Sequence, residues 1–293
     1  MHIPDGFLST PVWSTLDVAA IPAVAWAARR AQADLEVAND ATEMPDARRI
    51  PLLGVMGAFI FAAQMINFPV GLGTSGHLVG GALLAIALGP GTAATVMTAV
   101  LILQAFVLQD GGVMALGANI LNMAMAGVVG GYLPYRLWGR GRTRQVSIFL
   151  GGFFSVALSA SLALAELRFS GVPMSRRLML ISGVLFVISG LIEGAITVAA
   201  LRAVERLNPG WIRPAGRVPS RYLFAAAAAV VMLLMFGTLI ASQAPDALEA
   251  ALSIRIDPHS AWMRRALLGL TGMAILYGGL LAVGRRAARQ RSA

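Results

Sequence analysis

Residues 179–203 read MLISGVLFVISGLIEGAITVAALRA, an apolar run whose only carboxylate is Glu193. A helix needs about 20 predominantly apolar residues to cross the hydrocarbon core of a bilayer, so this run predicts a membrane-spanning helix. The rest of the chain has the same character, because 57% of its 293 residues are hydrophobic and only 13% are charged. Soluble domains carry about a quarter charged residues. The sequence therefore predicts an all-α integral membrane protein.

Nine apolar segments have spanning or near-spanning length. They lie at residues 12–29, 52–68, 77–89, 92–108, 116–135, 147–167, 179–203, 222–242 and 266–284. The third segment is too short to cross the bilayer as a regular helix, and glycines flank it. Such a segment is tolerated at membrane depth only inside protein or beside a cavity. We therefore expect a short helix that is entered through an irregular loop.

The arginines predict which ends of the spans face the cytoplasm. All 23 basic residues are arginine, and 17 of them fall in stretches that are cytoplasmic if the N-terminus lies outside. Cytoplasmic loops carry the excess of basic residues in membrane proteins, so we predict an N-out, C-in topology. In this topology the N-terminus and the loop before the third span lie on the same, outer side.

A change in composition divides the chain after the seventh span. Residues 206–221 contain three prolines and four arginines between two apolar spans. We predict a seven-span domain at residues 1–205, a cytoplasmic linker at 206–221 and a two-span domain at 222–293.

The composition also excludes several functions. The chain has no cysteine, which excludes thiolate metal sites and iron–sulfur clusters. It has no lysine, and a nucleotide-binding phosphate loop requires one, so any ATP hydrolysis must come from another subunit. The net charge of +9 is concentrated at the ends of apolar segments rather than in a basic stripe, which argues against nucleic-acid binding.

The chain opens with Met1-His2-Ile3-Pro4-Asp5-Gly6-Phe7, which lacks the basic start and the cleavage site of a secretory signal. We expect Met1 to be retained, because methionine removal generally needs a small second residue. The terminal amine, the backbone nitrogen of His2 and a ring nitrogen of His2 can then bind one metal ion together. The chelate rings that result are small and low in strain.

A further candidate ligand is His77, which ends the stretch Gly73-Thr74-Ser75-Gly76-His77. Its imidazole would add a fourth nitrogen to the ion. Four nitrogens in a plane suit Ni(II), Cu(II) or low-spin Co(II), whereas zinc prefers a tetrahedron. Three nearby polar residues are candidates to orient the imidazole from behind: Asn67, Thr74 and Ser75.

These residues also have plainer interpretations. A histidine at position 2 can be a solvated terminal residue, and a histidine at a helix start can serve packing. The third histidine, His259, is expected to be a solvated residue of an outer loop. Glu193, inside the seventh span, either contacts a coupling subunit or makes a structural hydrogen bond.

Three stretches, residues 1–9, 73–81 and 116–119, resemble the nickel/cobalt substrate-capture component of energy-coupling factor transporters. The resemblance covers about residues 1–205 and implies a seven-helix bundle. It also implies that the transported ion binds to the amine of Met1, two nitrogens of His2 and the ring of His77, with no cofactor. The family implies two partners, a transmembrane coupling protein and a cytoplasmic ATPase.

The C-terminal part resembles the small two-span accessory subunit of the same transporters. The hallmark Pro-Asp-Gly-Leu-Glu of that subunit corresponds to residues 245–249, where Ala247 replaces the glycine. The resemblance implies a fusion of the capture component with its accessory domain.

The sequence thus predicts a transporter component, rather than an enzyme, that captures Ni(II) or Co(II) for ATP-driven uptake across a bacterial inner membrane. A cobalt-specific member that feeds cobalamin synthesis is an alternative. A proton-coupled secondary transporter that uses Glu193, and a membrane scaffold without transport, are two others.

Overall fold

The computed structural model describes residues 2–41, 46–65, 68–71 and 74–207. The helices are α1 (Thr10–Ala41), α2 (Asp46–Met65), α3 (Gly81–Leu88), α4 (Pro90–Leu103), α5 (Leu116–Asn119), α6 (Val128–Trp138), α7 (Arg144–Phe169) and α8 (Arg176–Leu207). The strands are β1 (Phe68–Gly71) and β2 (Thr74–Gly76). π-helical turns extend α4 over Gln104–Leu108 and join α5 to α6 over Ile120–Gly127. A 3-10 turn, Gly141–Thr143, precedes α7.

Five helical segments of this part are long and apolar enough to cross a membrane. They are Thr10–Gln32, Pro90–Leu108, Leu116–Trp138, Gly141–Phe169 and Met179–Arg206. The second helix adds a shorter apolar stretch, Leu53–Gln64. With α3, a helix lies in each of the seven spans predicted for residues 1–205. The last two predicted spans, His259 and residues 208–221 of the predicted 206–221 linker lie outside the described residues.

The third predicted span is the short helix α3, and all eight of its residues are buried. The all-α class predicted from the sequence is confirmed for the described bundle, but the segment before α3 is not the irregular loop that we expected. Instead β1 and β2 form an antiparallel ribbon, with Phe68 opposite Gly76 and Pro69 opposite Ser75. Main-chain pairing explains this difference, because the N–H and C=O groups of one extended segment can be satisfied by those of the other.

The helix α3 lies at the centre of the described bundle and packs against α4, α6 and α7. One end of the bundle, which we call the histidine end, is formed by residues 2–9, 76–80 and 109–116. At the opposite end Arg144, at the start of α7, forms an ion pair with Glu205 near the end of α8. The guanidinium of Arg144 also lies 5.9 Å from the ring centre of Tyr135.

Candidate metal site

The chain start is held by α5 and by the loop that precedes it. The main-chain N–H of Ile3 donates to the side-chain oxygen of Asn119 (2.8 Å), and the Asn119 amide donates back to the Ile3 carbonyl (3.1 Å). The N–H of Gly112 donates to the same carbonyl (2.9 Å). Ile3 is buried against small residues of α5 and α7. These contacts fix the backbone directly after His2.

Asp5 provides a second anchor for the chain start. Its carboxylate accepts hydrogen bonds from the main-chain N–H groups of Val113 (3.0 Å), Met114 (2.8 Å) and Ala115 (3.3 Å). Hydrogen bonds to a charged acceptor are among the stronger ones in proteins. Asp5 and Asn119 together hold the first residues on the histidine end.

The two predicted imidazole ligands meet at this end. The rings of His2 and His77 are stacked, with centroids 4.7 Å apart and planes at 19°. His77 is 7% exposed, and the side chain of His2 is 2% exposed. Residues separated by two helices and the ribbon are therefore brought into direct contact.

The other predicted site residues are placed less fully. Met1 and Asn67 lie outside the described residues. Thr74 and Ser75 belong to β2, where they pair with Gly71 and Pro69 of β1. The ribbon thus leads the chain directly into His77.

Burial disfavours the protonated form of both imidazoles. Burial lowers the pKa of His2, and burial lowers the pKa of His77 well below its usual value. The Nδ1 atom of His77 lies 3.0 Å from the carbonyl oxygen of Leu78. Because a carbonyl only accepts, Nδ1 carries the proton and the lone pair of this ring resides on Nε2. A neutral imidazole with a fixed tautomer is the form that binds a transition metal.

Asp110 was not predicted as a site residue, yet its carboxylate oxygen lies 3.2 Å from Nδ1 of His2. Burial raises the pKa of Asp110, but the hydrogen bond from His2 and the attraction of the nearby positive groups together lower it to about 2. Gln109, with a φ of 54°, turns the chain just after the π-helical turn that extends α4. Gly111 has a φ of 91°, and a Cβ at this position would lie 3.1 Å from Cβ of His2. Glycine thus permits the close approach of His2.

The contact with Asp110 bears on how His2 can bind an ion. Only Nδ1 closes a six-membered chelate ring with the amide nitrogen of the same residue, so a bound ion would replace the proton that Nδ1 shares with Asp110. The other ring nitrogen, Nε2, is buried and has no hydrogen-bond partner among the described residues. An ion also lies close to the plane of each ring that binds it. The stacked rings must therefore turn relative to each other when both bind one ion.

Within the described ranges, no group of three or more His, Asp or Glu side chains has an arrangement that could hold a metal ion. The predicted ligand set is consistent with this finding, because only two of its four nitrogens belong to side chains. The others are a main-chain amide and the terminal amine.

Glu193 lies inside the bundle, and only 2% of it is exposed. Its carboxylate accepts hydrogen bonds from the main-chain N–H groups of Val79 (2.6 Å) and Gly80 (2.7 Å). The structure thus shows the structural hydrogen bond that was one of its two predicted interpretations. Its predicted role in coupling to another subunit stays a prediction.

A signal for Asp110 was present in the sequence. It directly follows the fourth predicted span, at an end that the arginine count places on the same outer side as His2 and His77. Aspartate at such a position was available as a partner for a buried histidine. The role of Asn119 had a weaker signal, since a polar residue within a span is as often a helix-packing residue.

The fold and this end of the molecule define a multi-pass membrane protein with two buried, neutral imidazoles in contact. Comparison with known proteins then gives its family. Residues 2–211 match the model of the CbiM family, described as the cobalt uptake substrate-specific transmembrane region. The chain belongs to this family of metal transporter components.

Several relatives carry metal-transport names. A protein from Haloquadratum walsbyi with the provisional name of metal transport protein is 37% identical over 212 residues, which cover 71% of this chain and 92% of that protein. The fused nickel transport protein NikMN of Rhodobacter capsulatus is 29% identical over 267 residues, or 83% of this chain and 74% of that protein. The cobalt transport protein CbiM of Thermosediminibacter oceani is 35% identical over 171 residues, or 53% of this chain and 66% of that protein.

A solved structure shows a similar fold. It is the crystal structure of a truncated transition metal transporter, with a TM-score of 0.59 and 27% sequence identity. The match covers 70% of this chain and 99% of that one. The described bundle is therefore the fold of a metal transporter.

Proposed function

We propose that this chain captures Ni(II) or Co(II) as the substrate-binding membrane component of an ATP-driven transporter of the energy-coupling factor type. The ion would bind to the amine of Met1, to the amide nitrogen and Nδ1 of His2, and to Nε2 of His77. The observation that carries the proposal is the contact between His2 and His77, two buried and neutral imidazoles.

The anchors of the chain start support this ligand set. A chelate made from the first two residues gains affinity when the terminus is held in place before the ion arrives, because less conformational freedom is lost on binding. Asn119 and Asp5 hold the residues just after His2. The set of four nitrogens favours a planar ion such as Ni(II) or low-spin Co(II) over zinc. Relatives are named for both nickel and cobalt, and we propose that either ion is captured.

The proposal includes partners and further domains. A coupling protein in the membrane and a cytoplasmic ATPase would drive transport, since the chain lacks the lysine of a phosphate loop. The protein would lie in a bacterial inner membrane with its N-terminus outside. Residues 1–205 would form the capture domain, and residues 222–293 an accessory domain, as the name of a fused relative suggests.

A binding and an uptake measurement test this function. Purified full-length protein with an unmodified start should bind one Ni(II) or Co(II) in equilibrium dialysis and prefer either ion to zinc. Cells that express the protein with its transporter should accumulate the metal until ATP is depleted. Uptake that persists without ATP but stops when the proton gradient is dissipated would favour a proton-coupled transporter instead.

Replacement of Asp110 by asparagine is expected to weaken metal binding about tenfold, because it removes a negative charge close to the proposed ion. Two effects oppose each other here. The asparagine oxygen can still accept from Nδ1–H of His2, but the bond to a neutral acceptor is weaker, which frees His2 for the ion by at most about 1 kcal/mol. Loss of a negative charge near a divalent ion costs more, since two unit charges at about 4 Å attract by about 4 kcal/mol near a surface. Solvent reduces this attraction, because 43% of the Asp110 side chain is exposed.

The matched control for this variant is Asp17→Asn. Asp17 accepts a hydrogen bond from the N–H of Gly117 (2.7 Å) at the histidine end, and no histidine contact is found for it in the described part. We expect its dissociation constant for Ni(II), measured by competition with a chelator, to stay within about twofold of the wild-type value. Unchanged or tighter binding in Asp110→Asn would contradict the electrostatic role of Asp110.

A further inference from the structure

The segment that follows His77 is held by a buried carboxylate from a distant helix. Glu193, in the middle of α8, gives one oxygen to the N–H of Val79 and the other to the N–H of Gly80, at 2.6 and 2.7 Å. Burial of a carboxylate is costly unless hydrogen bonds compensate for the lost water. Glu193 is only 2% exposed, so its two hydrogen bonds to the main chain replace the water that the carboxylate has lost.

One peptide group connects this carboxylate to the imidazole. The N–H of Val79 and the carbonyl of Leu78 belong to the same planar peptide unit. The carboxylate of Glu193 accepts a hydrogen bond from the N–H of this peptide unit. The carbonyl oxygen of the same unit accepts a hydrogen bond from Nδ1–H of His77, at 3.0 Å. Glu193 therefore fixes the orientation of this peptide plane. That orientation sets the direction of the Leu78 carbonyl oxygen, which accepts from His77.

The neighbouring peptide is held from another side. The side-chain amide of Gln64, on α2, donates to the carbonyl of Val79 at 2.7 Å. Gly80 has a φ of 78°, and a Cβ on it would collide with the side chain of Ile60. The turn after His77 is thus fixed by α2 and α8 together, and it has little freedom to rotate.

We propose that Glu193 is a positioning residue for the His77 imidazole and acts through the Leu78–Val79 peptide. This inference rests on the proposed role of His77 as a metal ligand. Histidine ligands commonly donate their second N–H to a carboxylate or a carbonyl, which fixes the tautomer and makes the ligating nitrogen more basic. In this protein a peptide group stands between the carboxylate and the imidazole, and hydrogen bonds in such a chain polarise one another.

The variant that tests this arrangement is Glu193→Gln. A carboxamide is nearly the same size, but it has one acceptor oxygen and presents an NH2 donor to the second N–H. One of the two backbone bonds is lost, and the peptide is free to tilt. We expect the dissociation constant for Ni(II) to rise at least about tenfold, the usual effect of removing an outer partner of a ligating histidine.

A double-mutant cycle separates positioning from a merely structural role. If Glu193 acts through His77, Glu193→Gln should weaken Ni(II) binding in the wild-type chain but change it less than about twofold in the His77→Ala background. A purely structural role would lower the melting temperature of the ligand-free protein and leave the affinity of the folded protein unchanged. An equal loss of affinity in both backgrounds, or none in the wild type, would overturn the inference.

Glu205→Gln is the matched control, since it makes the same change on the same helix. Glu205 pairs with Arg144 at the opposite end of the bundle, so its loss should leave Ni(II) affinity within about twofold of wild type. The cycle also separates the two proposals. If His77→Ala binds Ni(II) like the wild type, the proposed function fails. If His77→Ala weakens binding and Glu193→Gln does not, only the positioning role fails.

A measurement on the wild-type chain covers the case in which Glu193→Gln does not fold. The chain has three histidines, so nitrogen-15 labelling of histidine gives few ring signals, and comparison with His77→Ala assigns those of His77. The arrangement requires that ligand-free His77 carry its proton on Nδ1. A ring that is protonated on Nε2 instead would overturn the proposal.

Discussion

Two alanines placed before Met1 are expected to weaken Ni(II) binding by at least about 100-fold, beyond the range seen when outer partners of a ligand are removed. The extension moves the charged amine away from His2 and turns the nitrogen of Met1 into a second amide. The chain start also has to remain where Asn119 and Asp5 hold it, so the added residues cannot simply take the place of Met1. Chelator competition with purified full-length protein measures the change.

The length of this extension matters. One added residue would create a set of an amine, two amides and the imidazole of His2, which can bind a planar ion without His77. Two added residues avoid that set. The matched control carries the two alanines after Ala293, and its affinity should equal that of the native chain. An N-terminally extended protein with native affinity would show that the terminal amine is not a ligand.

His77→Ala is the second change with a large expected effect. It removes the fourth nitrogen, and a water molecule would have to complete the coordination of the ion. We expect an affinity loss of at least about 100-fold. A change in the visible absorption of bound Ni(II) should accompany it, because the ligand field of a planar four-nitrogen site is lost. The stacking contact with His2 disappears as well, so the melting temperature of the ligand-free protein should be recorded alongside.

The control for this variant is His259→Ala, which removes a histidine of the predicted outer loop in the C-terminal domain. Its affinity for Ni(II) is expected to match the wild-type value. If His77→Ala binds as tightly as the wild type, the contact between the two rings has no role in metal capture. If His259→Ala also loses binding, the accessory domain contributes to the site.

The sequence predicted the spans well because their signal is local. Segment length and hydropathy decide whether a helix can cross a bilayer, and a helix lies in each of the seven spans predicted for residues 1–205. The arginine count placed His2 and the loop before His77 on one side, and the structure brings the two rings together. The eight-residue helix α3 also followed from its length and its flanking glycines.

Other features depend on contacts between distant residues, which a single sequence does not reveal. The ribbon of β1 and β2 pairs two extended backbone segments, although the glycines in this stretch indicated an irregular loop. Asp110 and Glu193 reach the site region from the end of α4 and from the middle of α8. Asp110 contacts the ring of His2, 108 residues away, and Glu193 contacts two main-chain N–H groups more than 110 residues away. A main-chain partner has no characteristic residue type, so the sequence does not reveal it.

X-ray absorption spectroscopy of the nickel-loaded, full-length protein with an unmodified start tests the central claim most directly. The proposed site predicts a four-coordinate, planar ion whose neighbours are nitrogens and include the imidazole rings of His2 and His77. The imidazole contribution to the spectrum should fall in His77→Ala. A six-coordinate ion surrounded mainly by oxygen, with the same spectrum in the wild type and in His77→Ala, would contradict the account.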